Sequence, residues 1–330
     1  MTRRVPLMIA GIGSALPERV MTNADFEKLV DTTDEWIRAR SGIRERHIAG
    51  EGENTLTLGA AAARKALDNA GLTAADLDLI VVATSTPYVP LPATACYLQK
   101  ELGCRNIGAF DVSAACSGFV YGLVSAAGIM GAGSLRHALV VGAETMSSIT
   151  DFEDRGICVL LGDGAGAVVL SQADNDQSGL YESILGSEGS GAPMLWIPAG
   201  GSLERPSART INEKMHYLKM NGREVYKFAV VKMQEVVAET VARAGLTVDD
   251  LALIVPHQSN LRIIESVSNR LKIPMSKMAV NIDRCGNTSA ASIPLALDDA
   301  FRAGRVKKGD WILLAGFGAG YTWASALLRY

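Results

Sequence analysis

A sulfur nucleophile, an imidazole and a carboxamide stand out among the side chains of this 330-residue sequence. Cys116 sits in DVSAACSGF, after a strand-like run and before the helical stretch GFVYGLVSAAGIM. That places it at a helix N-terminus, where free N–H groups and the helix dipole favour a thiolate and lower its pKa. Taken alone, such a cysteine packs a core more often than it reacts. Its small neighbours Ala114, Ala115, Ser117 and Gly118 leave room for a substrate beside the sulfur. His257 follows Pro256 at the end of the apolar run LALIV, and open α/β sheets build sites at the carboxyl ends of strands. Asn287 opens GNTSAAS. Singly, the histidine also reads as a hydrogen-bonded structural residue and the asparagine as a turn residue.

A duplication relates the three. Residues 70–81 (AGLTAADLDLIV) and 244–255 (AGLTVDDLALIV) share nine of twelve residues at an offset of 174. The same offset lays His137–Gly142 over Trp311–Gly316 and Cys116 over Ala290. Two related halves are expected, 1–174 with the nucleophile and 175–330 with His257 and Asn287. A site where one half supplies a sulfur and the other supplies polar groups suits covalent catalysis.

The elements that must hold these residues alternate strand and helix. NTLTLGAAAARKALDNAG reads as a helix capped by Asn54 and closed by Gly71. Thr73-x-x-Asp76 and its copy Thr247-x-x-Asp250 resemble capping boxes. LDLIVVAT and LALIV are continuous apolar runs, as strands covered on both faces require. HALVVGAE, GAVVLS and WILLAGFG extend a mostly parallel α/β pattern. From Glu224 to Ala244, Val225, Phe228, Ala229, Met233 and Val236 form a helical stripe ended by Gly245. Residues 186–216 read as a loop excursion, either a functional cover or an insertion. The glycines at 162–166 and 316–320 lack nucleotide-loop spacing and fit close backbone approach.

Composition narrows the function class. Nearly half the residues are apolar and the net charge is −3, which argues against a nucleic-acid partner. Local basic runs remain: Arg38, Arg40, Arg44 and Arg46, then Arg262, Arg270 and Lys272. They read as solvated surface or as a mouth for an anionic substrate. Five cysteines without a C-x-x-C pair fit neither a disulfide framework nor a zinc site, and suit a cytoplasmic enzyme. Residues 112–135 carry no formal charge, yet their Gly, Ser and Ala content reads as a buried core helix rather than a membrane span.

DVSAACSGF, PHQSN, GNTSAAS and FGAGYTW, in this order, resemble the thiolase superfamily and within it the ketoacyl-acyl carrier protein synthases III. The resemblance runs from GIGSALPERVMTN through TTDEWIRARSGIRERH to the C-terminal WASALLRY. It implies duplicated thiolase-like α/β halves layered αβαβα around two mostly parallel mixed sheets. It implies a decarboxylative condensation of an acyl-CoA primer with malonyl-acyl carrier protein, with a polyketide starter synthase or a pathway-specific acyltransferase as the alternative. Cys116, His257 and Asn287 would be catalytic, with backbone N–H groups of Cys116 and Ala319 as the oxyanion hole. Trp36, Arg40, Arg155, Gly222, Asn260 and Phe317 would bind CoA and its pantetheine arm. Lys227 and the segment Gln258, Ser259, Asn260, Leu261 and Arg262 would dock the carrier protein, with Asn269 standing where the family has another basic residue. Leu91 would reach into the acyl pocket of the other protomer of a homodimer, and a leucine there admits primers larger than acetyl. No metal or cofactor is implied, CoA thioester being a substrate, and no membrane.

Overall fold

Continuous apolar runs become the strands of two mixed sheets in the computed structural model, which describes residues 4–175 and 177–330. The first sheet contains Leu7–Ala15 (β1), Leu79–Ala83 (β2), Gly108–Val112 (β3), His137–Thr145 (β4) and Asp163–Gln172 (β5), ordered β1-β5-β4-β2-β3. The second contains Gly179–Ser187 (β6), Leu251–Pro256 (β7), Trp311–Gly318 (β8) and Thr322–Arg329 (β9), ordered β7-β8-β9-β6. Parallel pairing is confined to β2 with β3 and β4, and to β7 with β8. The remaining pairs are antiparallel, so the sheets are less parallel than the sequence suggests. A strand buried on both faces is uniformly apolar whichever way its neighbours run, so hydropathy alone does not report direction.

Helices Asp34–Ser41 (α1), Thr55–Ala70 (α2), Gly118–Ala132 (α3), Gly222–Arg243 (α4), Leu261–Leu271 (α5) and Ser292–Arg302 (α6) complete the frame. Helices α3 and α6 share the central core with both sheets, through Phe119, Leu123, Ile293 and Leu297 against Val140, Val168, Val255 and Leu314. Helix α2 packs Ala62, Ala63 and Ala66 on the outer face of the first sheet. Helices α4 and α5 pack Met233, Val237, Ile263 and Val267 on the outer face of the second. These are the five layers αβαβα. The uncharged segment therefore forms the buried helix α3. Each of its large apolar side chains contributes roughly 1.5–3 kcal/mol by leaving water.

The duplication is visible at the centre. Short 3₁₀ turns at Ala115–Ser117 and Ser289–Ala291, 174 residues apart, enter α3 and α6. Ala115 and Ser289 hold φ of 47° and 48°, a left-handed conformation uncommon for residues with a Cβ. Each turn presses on the other half's central strand. A Cβ on Gly142 of β4 would stand 2.5 Å from the Ala290 carbonyl oxygen, and one on Gly316 of β8 3.3 Å from that of Cys116. Glycine is required there because backbone meets backbone.

The local signals read from sequence are present. Asn54 accepts hydrogen bonds from Leu56 and Thr57 N–H, and Gly71 closes α2 at φ 66°. Thr73 and Thr247 pair with Asp76 and Asp250 as capping boxes. Among the basic run, Arg46 lies in the interior, donating to the Met21 and Val159 carbonyls and to Asn23 Oδ1. It is neither solvated surface nor part of a mouth.

Candidate active site

Cys116, His257 and Asn287 come from three separate segments and line one cavity of about 890 Å³. Cys116 stands on the strained turn before α3. Burial pushes its thiol up to about 12, the Ser289 hydrogen bond opposes that rise, and the charge of Glu144 adds to it. The expected lowering by a helix N-terminus is therefore not the governing effect. The sulfur sits one turn ahead of α3, in a site where desolvation dominates.

His257 is placed by its backbone N–H on the Ala315 carbonyl, 2.8 Å away, and its ring meets Phe317 edge-on at 5.4 Å. Burial pushes the imidazole down to about 3, so it is neutral. Its Nδ1 lies 2.7 Å from Ser292 Oγ. A hydroxyl donating to Nδ1 leaves the proton on Nε2, which makes the ring a donor at that nitrogen. Asn287 is held by a two-way backbone bridge to Leu160 and Gly162 at 2.8 and 3.0 Å. Its Oδ1 accepts from Ser289 N–H at 2.9 Å. That leaves the carboxamide NH₂ as the free donor.

The turn between β8 and β9 brings the second oxyanion candidate to the nucleophile. A Cβ on Gly318 would lie 2.6 Å from Cys116 N, and Ala319 follows it in the cavity wall. Ser117 Oγ donates to Thr322 Oγ1 at 2.8 Å, and the Thr322 hydroxyl lies 3.0 Å from both the Ala114 and Ala319 carbonyls. Two hydroxyls thus fasten the nucleophile turn to the Ala319 turn. Thr322 was not singled out from sequence, and Ser117 was read there only as a small neighbour of the sulfur, because small polar residues near a cysteine carry no distinguishing signal.

The residues expected at the CoA end meet at the cavity mouth. Trp36 carries the guanidinium groups of Arg40 and Arg155 over its ring, at 5.8 and 5.0 Å. Gly222, Asn260 and Phe317 line the same cavity. Asn260 also caps α5, accepting from Arg262 N–H and donating to the Arg40 carbonyl. Lys227 and Arg262 are exposed at the rim, Lys227 paired with Glu224 and Arg262 over Tyr226.

Two expected contacts turn inward and a third is only half-exposed. Gln258 is fully buried and cannot touch a docked protein. It donates to the Pro256 and Ala279 carbonyls and accepts from Asn281 N–H. Ser259 faces the cavity with its hydroxyl unpartnered, a lining position rather than a docking one. Leu261 packs against Gly42, where the αL end of α1 leaves no room for a Cβ. Gln258 and Ser259 follow from one fact: the chain dives inward between β7 and α5. Leu91 is 86 % exposed and lies outside its own chain's cavity.

Sequence reasoning missed the apolar wall, which includes Met146, Ile157, Leu160, Leu195 and Met220. Part of it is the loop excursion: Leu195–Trp196 pairs with Lys219–Met220 as a two-stranded flap. That segment contributes Leu195, Trp196 and Ile197 to the cavity wall.

The family model described as 3-oxoacyl-[acyl-carrier-protein (ACP)] synthase III matches residues 110–189, and the model of its C-terminal region matches residues 241–330. A curated beta-ketoacyl-[acyl-carrier-protein] synthase III of Xanthomonas campestris pv. campestris is 51% identical over the whole of both chains. The crystal structure of 3-oxoacyl-[acyl-carrier-protein] synthase III from Aquifex aeolicus is 43% identical, covers all of both chains and superposes with a TM-score of 0.89. The priming beta-ketosynthase of the R1128 polyketide pathway is 38% identical over 100% of this chain and 98% of its own, with a TM-score of 0.90.

Proposed function

The chain belongs to the 3-oxoacyl-[acyl-carrier-protein] synthase III family, and from that premise we propose how its cavity performs the condensation. It is an acyltransferase that joins an acyl-CoA primer to malonyl-acyl carrier protein, giving 3-ketoacyl-acyl carrier protein, CoA and CO₂ at the start of fatty acid synthesis. The polyketide ketosynthase shares the scaffold at lower identity than the curated fatty-acid relatives, which favours the fatty-acid reading.

The observation that carries the mechanism is the convergence of Cys116, His257 and Asn287 on one cavity. Cys116 attacks the primer thioester and becomes acylated, releasing CoA. The tetrahedral oxyanion rests on the N–H groups of Cys116 and Ala319. Malonyl-acyl carrier protein then places its thioester carbonyl against His257 Nε2–H and the Asn287 carboxamide. As CO₂ leaves, negative charge gathers on that oxygen, and the two neutral donors stabilise the enolate. A histidine kept neutral by burial is the right partner, since a charged one would be costly at so buried a position. The enolate carbon attacks the acyl-cysteine and the oxyanion hole is used again. None of these steps calls on a metal or a redox cofactor.

Trp36 with Arg40 and Arg155 suits the adenine and phosphates of CoA, by cation–π contact and charge. Lys227 and Arg262 at the rim suit an acidic carrier protein. The exposure of Leu91 supports a homodimer in which it enters the partner's acyl pocket, and unpaired thiols at all five cysteines support a cytoplasmic home. The direct test is Cys116→Ser with acyl-CoA: acyl transfer is expected to vanish, and its persistence would reject the assignment.

A further inference from the structure

Arg46 is fully buried and has no part in the steps above. A guanidinium stays charged in proteins and is costly to take out of water. Its hydrogen bonds here all end on neutral oxygens. Nη1 donates to the Met21 carbonyl at 3.2 Å and to Asn23 Oδ1 at 2.9 Å, and Nη2 donates to the Val159 carbonyl. The Phe26 ring covers the guanidinium face at 4.5 Å. Met21, Phe26 and Val159 belong to an apolar cluster, where packing alone favours an apolar side chain. What the fork holds therefore matters.

One side of the fork bears on the CoA end. Asn23 Oδ1 faces Arg46, which turns the carboxamide NH₂ toward Asp34 Oδ1 and the Ile43 carbonyl, both at 2.8 Å. Asp34 opens α1, the helix of Trp36 and Arg40, and Ile43 lies just past its end. The other side bears on the enolate end. Val159 follows the one-turn helix Arg155–Cys158, whose Arg155 lies over Trp36. The next residues, Leu160 and Gly162, make the backbone bridge to Asn287. The stem of Arg46 lies against both sides of that bridge. A Cβ on Gly162 would stand 3.1 Å from Arg46 Cβ, and one on Gly286 3.0 Å. The Cys116 turn is fastened elsewhere, through Ser117 and Thr322.

We propose that Arg46 is a positioning residue for both substrate-handling ends of the cavity, an inference that rests on the reading of the site given above. Through Asn23 it sets α1 and with it Trp36 and Arg40. Through Val159 it sets the segment that carries Arg155 and bridges to Asn287. One buried side chain thus keeps the CoA clamp and the enolate donor in register with each other, and it leaves the nucleophile to its own fastenings. A lysine keeps the charge at this place but cannot reach in two directions at once, because its ammonium is a single point on a flexible stem.

The test compares the full-length wild type with Arg46→Lys, which keeps the charge and loses the fork, and Arg46→Met, which loses both. On the folded fraction of each, KM for acyl-CoA and Cys116 acylation at saturating acyl-CoA are measured by quenched-flow mass spectrometry. Condensation of the preformed acyl-enzyme with malonyl-acyl carrier protein and alkylation of Cys116 by iodoacetamide are timed separately. Both variants are expected to raise KM and to slow condensation by about tenfold or more, with saturated acylation and alkylation within about twofold of the wild type. A merely structural arginine would lower the unfolding midpoint and leave every one of these values unchanged in the folded fraction. Wild-type KM or wild-type condensation, or losses of the same size in acylation and alkylation, would overturn the proposal. If Arg46→Met fails to fold, Arg46→Lys decides alone. Should the wild type gain no acyl mass from acyl-CoA, the functional reading fails, and hydrogen exchange judges the positioning by itself. Faster exchange in Arg46→Lys confined to α1 and residues 159–162 and 286–287 supports it, and exchange unchanged or raised throughout rejects it.

Discussion

Single side chains divide the labour of the cavity, and substitution separates them. Asn287→Ala removes one enolate donor and leaves the nucleophile intact. Acylation is expected to persist while condensation falls about a hundredfold or more, near 3 kcal/mol. Timing each half-reaction checks it, and a loss confined to acylation would contradict the assignment. Trp36→Ala removes the ring beneath Arg40 and Arg155. Steady-state kinetics should show KM for acyl-CoA raised by about tenfold with little change in kcat. His257 also ties stability to pH. Burial lowers its folded pKa to about 3 from the ordinary 6.5, so the unfolded chain binds the extra proton between those values. Its contribution is present in full above pH 6.5 and is lost as pH falls toward 3. Replacing His257 by Gln should flatten the dependence of the unfolding midpoint on pH across that window. The three catalytic candidates were legible in sequence because their motifs are distinctive and occur in one order along the chain. The state of the thiol was not, since it depends on desolvation, which emerges only when both halves close over it.

At the scale of elements, two crossed turns and two strand-end glycines hold the geometry. Gly142→Ala would drive a Cβ to 2.5 Å from the Ala290 carbonyl oxygen, with backbone on the other side that cannot swing away. Thermal unfolding should register a loss of about 1–3 kcal/mol, and condensation should suffer with it because Asn287 precedes the displaced turn. A midpoint equal to the wild type would mean that the turn can move freely. Sequence exposed these positions only as an aligned pair at the 174-residue offset. It exposed the caps at Asn54 and Gly71 directly, because capping is local chemistry. Strand direction was hidden, since buried runs such as those of β5 and β9 look alike in either orientation. The reading of Lys227 with Gln258 to Arg262 as one docking surface loses Gln258 for a related reason. Residues at a strand-to-helix crossing point in different directions: Gln258 into the core, Ser259 into the cavity, Leu261 against α1.

The whole molecule sets which substrates enter. The five-layer core fixes two halves rigidly enough for residues from distant segments to share one cavity, and the flap of Leu195–Trp196 and Lys219–Met220 walls it with apolar surface. With a leucine at position 91, branched or longer primers are expected to be accepted beside acetyl-CoA. A comparison of acetyl-, isobutyryl- and octanoyl-CoA rates checks this, and strict acetyl preference would refute it. The two related halves were legible because the duplication and the helix signals are spread along the chain, whereas the order of layers came only with the family resemblance. The cavity wall was not, because its apolar residues are indistinguishable from core until the fold leaves them facing empty space. One measurement reaches the central claim: intact-protein mass spectrometry with an acyl-CoA, peptide mapping of the adduct, then addition of malonyl-acyl carrier protein. The account predicts one acyl group on Cys116, cleared with release of CO₂ and appearance of 3-ketoacyl-acyl carrier protein. An adduct on another residue, or its clearance as free acid with no new carbon–carbon bond, would contradict it.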